Sequence, residues 1–64
     1  MKIKDFLENF QGTNHIKIFD KYDFSTHRYN NTIEAINDYG HYSVKSWDIN
    51  NNNNVLMITI QSQF

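Results

Sequence analysis

Two runs of hydrophobic and polar residues in alternation give the clearest pattern in this sequence. Residues 42–49 and 55–60 are rich in β-branched and aromatic side chains, and five consecutive asparagines, 50–54, separate them. Such runs on either side of a polar turn segment are typical of a β-hairpin. The pattern therefore predicts one strand over about 41–49 and another over about 55–60.

A second hairpin, with a weaker pattern, is predicted over residues 15–29, before the one just described. Residues 15–20 alternate, with Ile16 and Ile18 on one face, and residues 20–23 have turn character. Residues 24–29 can return beside them as a second strand. The order of side chains in 24–29 does not fix which face is buried, so the register of this hairpin stays open.

The first helix is predicted over about residues 3–11. Its apolar side chains recur at positions i, i+3, i+4 and i+7, which places them on one face of a helix. They are Ile3, Phe6, Leu7 and Phe10. Gly12 stands where a glycine in the left-handed conformation would close the helix. A helix this short is unstable alone in water, so it must lie on the sheet.

The second helix is predicted over about residues 32–39. Asn31 or Thr32 can cap it by accepting a hydrogen bond from a free backbone N–H of its first turn. Its buried side is expected to contain Ile33, Ile36 and Tyr39, and Gly40 is expected to end it.

Together these elements predict one small α+β domain with the order α-β-β-α-β-β. The simplest packing is a four-stranded, mainly antiparallel sheet with two short helices on one face. The expected core joins the apolar faces of the helices and strands. Its members are Phe6, Leu7, Phe10, Ile16, Ile18, Ile33, Ile36, Tyr42, Val44, Leu56, Ile58 and Ile60.

Composition limits how such a domain is stabilised and where it acts. A chain of 64 residues has a small core, and it has no cysteine for a disulfide, although 16% of its residues are aromatic. Homodimerisation is one way to support so small a core. No apolar run reaches the roughly 20 residues that span a bilayer, and the N-terminus lacks a signal-peptide pattern. We therefore expect a cytoplasmic protein with no membrane partner.

The residues that most often carry chemistry do not form a recognisable motif. The three histidines, His15, His27 and His41, do not have the spacing of a zinc site. Ser25 and His27 share a face if 24–29 is a strand, but the pair lacks a third, orienting group. We therefore expect a protein that is not an enzyme and has neither a metal nor a cofactor.

The aromatic residues suggest a binding surface. If the alternation of each strand holds, Phe19, Trp47, Val55 and Met57 gather on the sheet face that the helices leave uncovered. Exposed apolar area of this kind usually marks an interface. A bulge between Val44 and Trp47 would instead turn the indole inward.

The charges allow two interpretations. The chain carries six Lys and Arg against seven Asp and Glu, a balance that argues against a nucleic-acid partner. Five of the carboxylates are either solvated surface charges or a patch that meets basic residues on a partner protein. These five are Asp20, Asp23, Glu34, Asp38 and Asp48.

Five segments share a pattern of core positions and turns with a known group of small proteins. They are Met1–Leu7, Ile16–Asp20, Tyr29–Ile33, Tyr42–Trp47 and Val55–Ile58. In this pattern, over nearly the whole chain, the sequence resembles small proteins encoded by phages and prophages of low-GC Gram-positive bacteria. Those proteins often have glycine where this chain has Asn31. The resemblance implies a protein that binds and disables a host protein, such as a CRISPR nuclease or another defence enzyme.

The leading hypothesis is thus a non-enzymatic inhibitor of a host defence protein that acts by direct contact. Phe19, Tyr29 and Trp47 are the expected anchors, with the five carboxylates as charged partners for Lys and Arg. The alternative is a homodimeric nucleic-acid-binding or transcription accessory protein whose aromatic sheet face stacks on bases.

Overall fold

Two helices and four strands follow one another along the described part of the chain, residues 1–12 and 14–62 of a computed structural model. The elements are α1 (Ile3–Glu8), β1 (His15–Asp20), β2 (Ser25–Tyr29), α2 (Thr32–Tyr39), β3 (Ser46–Asn50) and β4 (Val55–Ile60). The predicted α+β class and the order α-β-β-α-β-β are confirmed.

The four strands form one mixed sheet in the order β2-β1-β4-β3. Each hairpin is antiparallel, and the two hairpins join through a parallel pairing of β1 with β4 at the centre. The predicted mainly antiparallel sheet is therefore confirmed, with a parallel seam between its halves. Because β2 and β3 lie at opposite edges, the segment containing α2 crosses one whole face of the sheet.

The core lies between that face and the two helices. The central strands turn Ile16, Ile18, Leu56 and Ile58 toward the helices, and all four are 0–1% exposed. Against them lie the side chains that the helices bury, namely Ile3 and Leu7 of α1 and Ala35 of α2. We call this side of the sheet the covered face and the opposite side the open face.

Helix α1 is shorter than predicted, since it ends at Glu8 rather than near residue 11. The Asn9 side chain donates a hydrogen bond to the Asp5 carbonyl oxygen at 2.9 Å, which competes with continuation of the helix. The predicted left-handed glycine at Gly12 is wrong, because neither glycine has a positive φ. A Cβ at Gly12 would collide with the Phe10 ring and the Asn14 side chain, so a larger residue there requires these side chains to shift.

Helix α2 begins and ends where the sequence predicts. The Asn31 side chain accepts a hydrogen bond from the Glu34 N–H at 3.0 Å, as expected for an N-cap. Its buried side differs from the prediction: Ala35 is fully buried, whereas Ile33 is 69% exposed. The small alanine side chain allows the helix to approach the sheet closely, and the helix rotation that this requires turns Ile33 into solvent.

Strand β3 begins at Ser46, five residues later than predicted, for a reason that lies in the backbone. The Ile3 N–H donates to the Tyr42 carbonyl and the Val44 N–H to the Met1 carbonyl, both at 2.8 Å. Residues 42–44 thus pair with the segment before α1 and leave the sheet. Val44 still packs against the core, but Tyr42, predicted to be buried, is 36% exposed.

Candidate partner-binding surface

The open face contains a shallow depression that extends across all four strands. Its volume is about 520 Å³, a size within the range of sites that bind ligands. Val55 and Met57 of β4 are its apolar floor, and charged and amide side chains surround them. The depression is lined by His15, Ile16, Lys17, Arg28, Tyr29, Asn30, Asp48, Asn50, Asn53, Val55 and Met57. We call it the open-face depression.

One row of side chains crosses this depression from edge to edge. Arg28 of β2 lies opposite Lys17 of β1, Lys17 lies beside Met57 of β4, and Met57 lies opposite Asp48 of β3. Because directly paired residues point to the same face, all four side chains lie on the open face. The row therefore has two cations at one end, a methionine in the middle and a carboxylate at the other end.

The two cations in the row have no counterion among the described residues. Across residues 1–12 and 14–62, neither the Lys17 ammonium group nor the Arg28 guanidinium group has an ion pair or a hydrogen bond. Like charges directly opposite each other on adjacent strands are destabilising. Their placement therefore favours an external anion over a role in holding the sheet together.

An aromatic pair, one ring half-buried and the other exposed, lies at one end of the open face. Phe19 and Phe24 have ring centroids 6.3 Å apart, and Phe24 is 79% exposed. Phe24 also has a φ of 59°, an unfavourable left-handed conformation for a bulky side chain. This conformation explains why β2 starts at Ser25 and not at residue 24, and it projects an aromatic ring into solvent.

Trp47 is not on the open face, which corrects the predicted grouping of Phe19, Trp47, Val55 and Met57. It pairs with Ile58, whose side chain is fully buried under the helices, so the indole lies on the covered face. Its ring centroid lies 5.6 Å from that of Phe6, although 54% of the residue remains exposed. Trp47 therefore covers the flank of α1, and only Phe19, Val55 and Met57 of the predicted group share the open face.

Tyr29 also lies on the covered face, because it pairs with Ile16. Its hydroxyl donates a hydrogen bond to the Asp38 carboxylate at 2.9 Å, and its ring meets Tyr39 edge-on. Partial burial, together with the negative Asp38, raises the pKa of Tyr29 well above its ordinary value. The Tyr29 hydroxyl thus ties β2 to α2, and Asp38 is already engaged by it.

Asp20 is buried, with only 4% of the residue exposed, so it is not a surface charge as the sequence suggested. Burial alone would raise the pKa of Asp20. Hydrogen bonds from the Ser62 hydroxyl and from the N–H groups of Tyr22 and Ser62 outweigh that effect, and the pKa is lowered. The ionised carboxylate holds the turn after β1 against the chain that follows β4.

The other predicted carboxylates are exposed but do not form one patch. Asp23 accepts a hydrogen bond from the Ser25 N–H in the β1–β2 turn, and Glu34 lies next to the cap of α2. Asp38 lies on the same helix, on the covered side of the sheet, whereas Asp48 lies on the open face. Of the five, Asp48 is the one that lines the open-face depression.

The Ser25–His27 pair forms as its spacing suggested. The Ser25 hydroxyl and the His27 Nε2 are 3.1 Å apart on the covered side, and Tyr39 lies against the imidazole ring. The Asp20 carboxylate lies on the same face, but its hydrogen bonds go to Tyr22 and Ser62 rather than to the imidazole.

The histidines lie on separate parts of the structure. His15 lines the open-face depression, His27 lies on the covered face, and His41 follows α2. Within residues 1–12 and 14–62 no three His, Asp or Glu side chains come together as a metal site. In the same residues, neither helix has the length and apolar character to cross a bilayer.

Sequence reasoning missed the row of charges and the exposed Phe24. Alternation along β1 places Lys17 on the face opposite to Ile16 and Ile18. Only the pairing of β1 with both β2 and β4, and of β4 with β3, brings Arg28, Met57 and Asp48 into line with it. The turn residues before β2 gave no sign that a phenylalanine would adopt a left-handed conformation.

Comparison with known proteins adds no relative from which a role could be transferred. No known protein family, curated protein or solved structure matches this chain.

Proposed function

We propose that this protein is a small, non-enzymatic binding protein that contacts a partner protein through the open face of its sheet. The observation that carries this proposal is the open-face depression, whose apolar floor is flanked by two cations that have no partner among the described residues. A sheet face that binds nothing is usually polar and evenly solvated. Here Met57 is 37% exposed at the centre of the face, where an interface would bury it.

The aromatic pair extends this surface beyond the depression. Interfaces gain most of their binding energy from a few buried aromatic and long side chains. Phe24 is the most exposed large apolar residue described, and it lies beside Phe19 on the same side of the sheet as Met57. Phe19, Phe24 and Met57 are therefore the anchors that we propose.

The sequence resemblance suggests the class of target. Small proteins of phage and prophage origin that bind and disable host proteins act by direct contact, without chemistry. We propose the same mode of action here, with a host defence protein such as a CRISPR nuclease as the target.

Affinity capture from a nuclease-treated bacterial lysate tests the proposal. The wild-type chain is compared with Met57→Glu on the open face and with Ile33→Glu on α2, an apolar position that is more exposed than Met57 and lies away from that face. We expect wild type and Ile33→Glu to retain one defence protein at near-stoichiometric amount and Met57→Glu to lose it. Retention by Met57→Glu with loss by Ile33→Glu would place the contact on α2 and contradict the proposal.

A second candidate function rests on Lys17 and Arg28. These cations lie on the same face as the half-buried Phe19, and cations beside an accessible aromatic ring are typical of surfaces that bind single-stranded nucleic acid. The protein would then act as a homodimeric nucleic-acid-binding or transcription accessory protein. Fluorescence anisotropy with a labelled oligonucleotide over a KCl series tests it, because binding through phosphates weakens steeply with added salt.

A further inference from the structure

We infer that the occupant of the open-face depression is an extended protein segment that carries an acidic, an apolar and a basic side chain at alternate positions. This inference rests on the proposed function and names the chemistry of the partner. Its basis is the row formed by Arg28, Lys17, Met57 and Asp48.

The dimensions of the row fit an extended chain that crosses the strands. Adjacent strands are about 4.8 Å apart, so the three spacings from Arg28 to Asp48 span about 14 Å. The four steps from residue i to residue i+4 of an extended chain cover about 13 Å, and the side chains of residues i, i+2 and i+4 point to one side. In a segment that crosses the strands, the side chains of residues i, i+2 and i+4 therefore point toward the sheet. They lie over the two cations, over Met57 and over Asp48.

The charges select what those three side chains are. A carboxylate at one end of the segment meets Lys17 and Arg28, which have no partner in the described residues. An apolar side chain lies on Met57 and Val55, and a Lys or Arg at the other end meets Asp48. The segment can read acidic-apolar-basic or basic-apolar-acidic from its N-terminus. The two orders lie across the sheet in opposite directions and place the same charges over the same residues.

The same row disfavours a nucleic acid as the occupant. A strand of phosphates across the sheet would meet Asp48 at the far end of the depression. The chain as a whole also has a net charge of −1, which provides no long-range attraction for a polyanion. A segment with charges of both signs avoids both penalties.

The test is a titration of the ¹⁵N-labelled protein, followed by NMR, with three capped peptides and one oligonucleotide. The peptides are Asp-Thr-Leu-Thr-Lys, Asp-Thr-Leu-Thr-Asp and Lys-Thr-Leu-Thr-Lys, and the oligonucleotide is a short oligothymidylate. We expect the mixed-charge peptide to bind about two- to fivefold more tightly than either like-charge peptide, as one exposed ion pair provides. The amide shifts are expected along all four strands, at the positions of the row in β2, β1, β4 and β3.

A change of specificity provides the sharper test. Asp48→Lys makes every charged residue of the row a cation, so this variant should prefer the Asp-Thr-Leu-Thr-Asp peptide. Glu8→Lys changes the net charge equally at an exposed position of α1, on the other side of the sheet, and should keep the wild-type preference.

Three results would overturn the inference. They are equal binding of all three peptides, amide shifts confined to helices α1 and α2 on the covered face, and tighter binding of the oligonucleotide than of any peptide. If the peptides fail while the capture experiment still retains a Met57-dependent partner, the proposed function survives and only the chemistry of the segment is wrong. Tight oligonucleotide binding would instead support the second candidate function.

Discussion

The indole of Trp47 and the phenyl ring of Phe6 lie with their centroids 5.6 Å apart at a tilt of 53°, which joins edge strand β3 to helix α1. The other flank of the sheet has its own link, from Tyr29 of β2 to Asp38 of α2. Each helix is therefore tied to one edge strand on the covered face, and the open face takes no part in either link.

Replacing Trp47 should affect stability rather than partner binding. Because 54% of the residue is already exposed, we expect Trp47→Ala to lower the free energy of unfolding by about 1–2 kcal/mol without unfolding the protein. Urea denaturation of the single variants and of the double variant with Phe6→Ala measures the coupling, expected at about 0.5–1.5 kcal/mol. Loss of partner capture by a folded Trp47→Ala would contradict this prediction.

Asp20 should make the protein sensitive to acid. Because its folded-state pKa is lowered, the stabilisation from its ionised form is present above the ordinary value of 3.8 and is lost as the pH falls through the lower folded-state value. We expect Asp20→Asn to cost about 1.5–3 kcal/mol at neutral pH. The stability of the Asp20→Asn variant should then change little as the pH falls from neutral into the acid range.

Asp23→Asn is the matched control for the acid experiment, since Asp23 is exposed in the same turn. It should keep the wild-type loss of stability in acid. Thermal unfolding between neutral pH and about pH 2 distinguishes the two variants, and a wild-type acid response in Asp20→Asn would exclude Asp20 as its source.

Tyr29 should make the protein sensitive to base. Its raised folded-state pKa means that the stabilisation from the neutral hydroxyl is complete below the ordinary value of 10.0 and is lost as the pH rises above it. We expect Tyr29→Phe to lose about 1 kcal/mol at neutral pH and to respond less steeply to alkali than wild type. Tyr22→Phe, at an exposed position in the β1–β2 turn, should behave as wild type in the same alkaline unfolding series.

Phe24 should reduce the stability of the folded protein, although it contributes to partner binding. Its left-handed conformation costs about 1–2 kcal/mol for a bulky residue, and its contact with Phe19 is too exposed to offset that cost. We expect Phe24→Asn to raise the free energy of unfolding by about 0.5–1 kcal/mol and to weaken partner capture. Asn54 also has a left-handed conformation, with a φ of 54°. Replacing it with the bulky residue, Asn54→Phe, should lower the free energy of unfolding by a similar amount.

Local patterns in the sequence predicted the elements that depend on local forces. Asn31 caps α2 as predicted, and the alternation of Leu56, Ile58 and Ile60 placed those side chains correctly in the core. Ile33 was misplaced because the depth at which α2 lies depends on Ala35 meeting the sheet, a tertiary contact that helical spacing does not contain.

The candidate site could not be predicted in the same way, because it depends on which strands are neighbours. Lys17 and Met57 belong to different hairpins and become adjacent only through the pairing of β1 with β4. Trp47 was misplaced for a related reason: residues 42–44 pair with the segment before α1, so the alternation counted from Tyr42 does not continue into β3.

The parallel seam between β1 and β4 has a consequence for folding. Each hairpin forms from residues close together in the chain, but the seam must bring His15 beside Val55, and the closure of so long a loop is slow. We expect formation of this seam to limit the folding rate. Because the hairpins form before this step, substitutions that destabilise either turn should mainly slow refolding, whereas those at Ile18 or Ile58 should slow refolding and also accelerate unfolding.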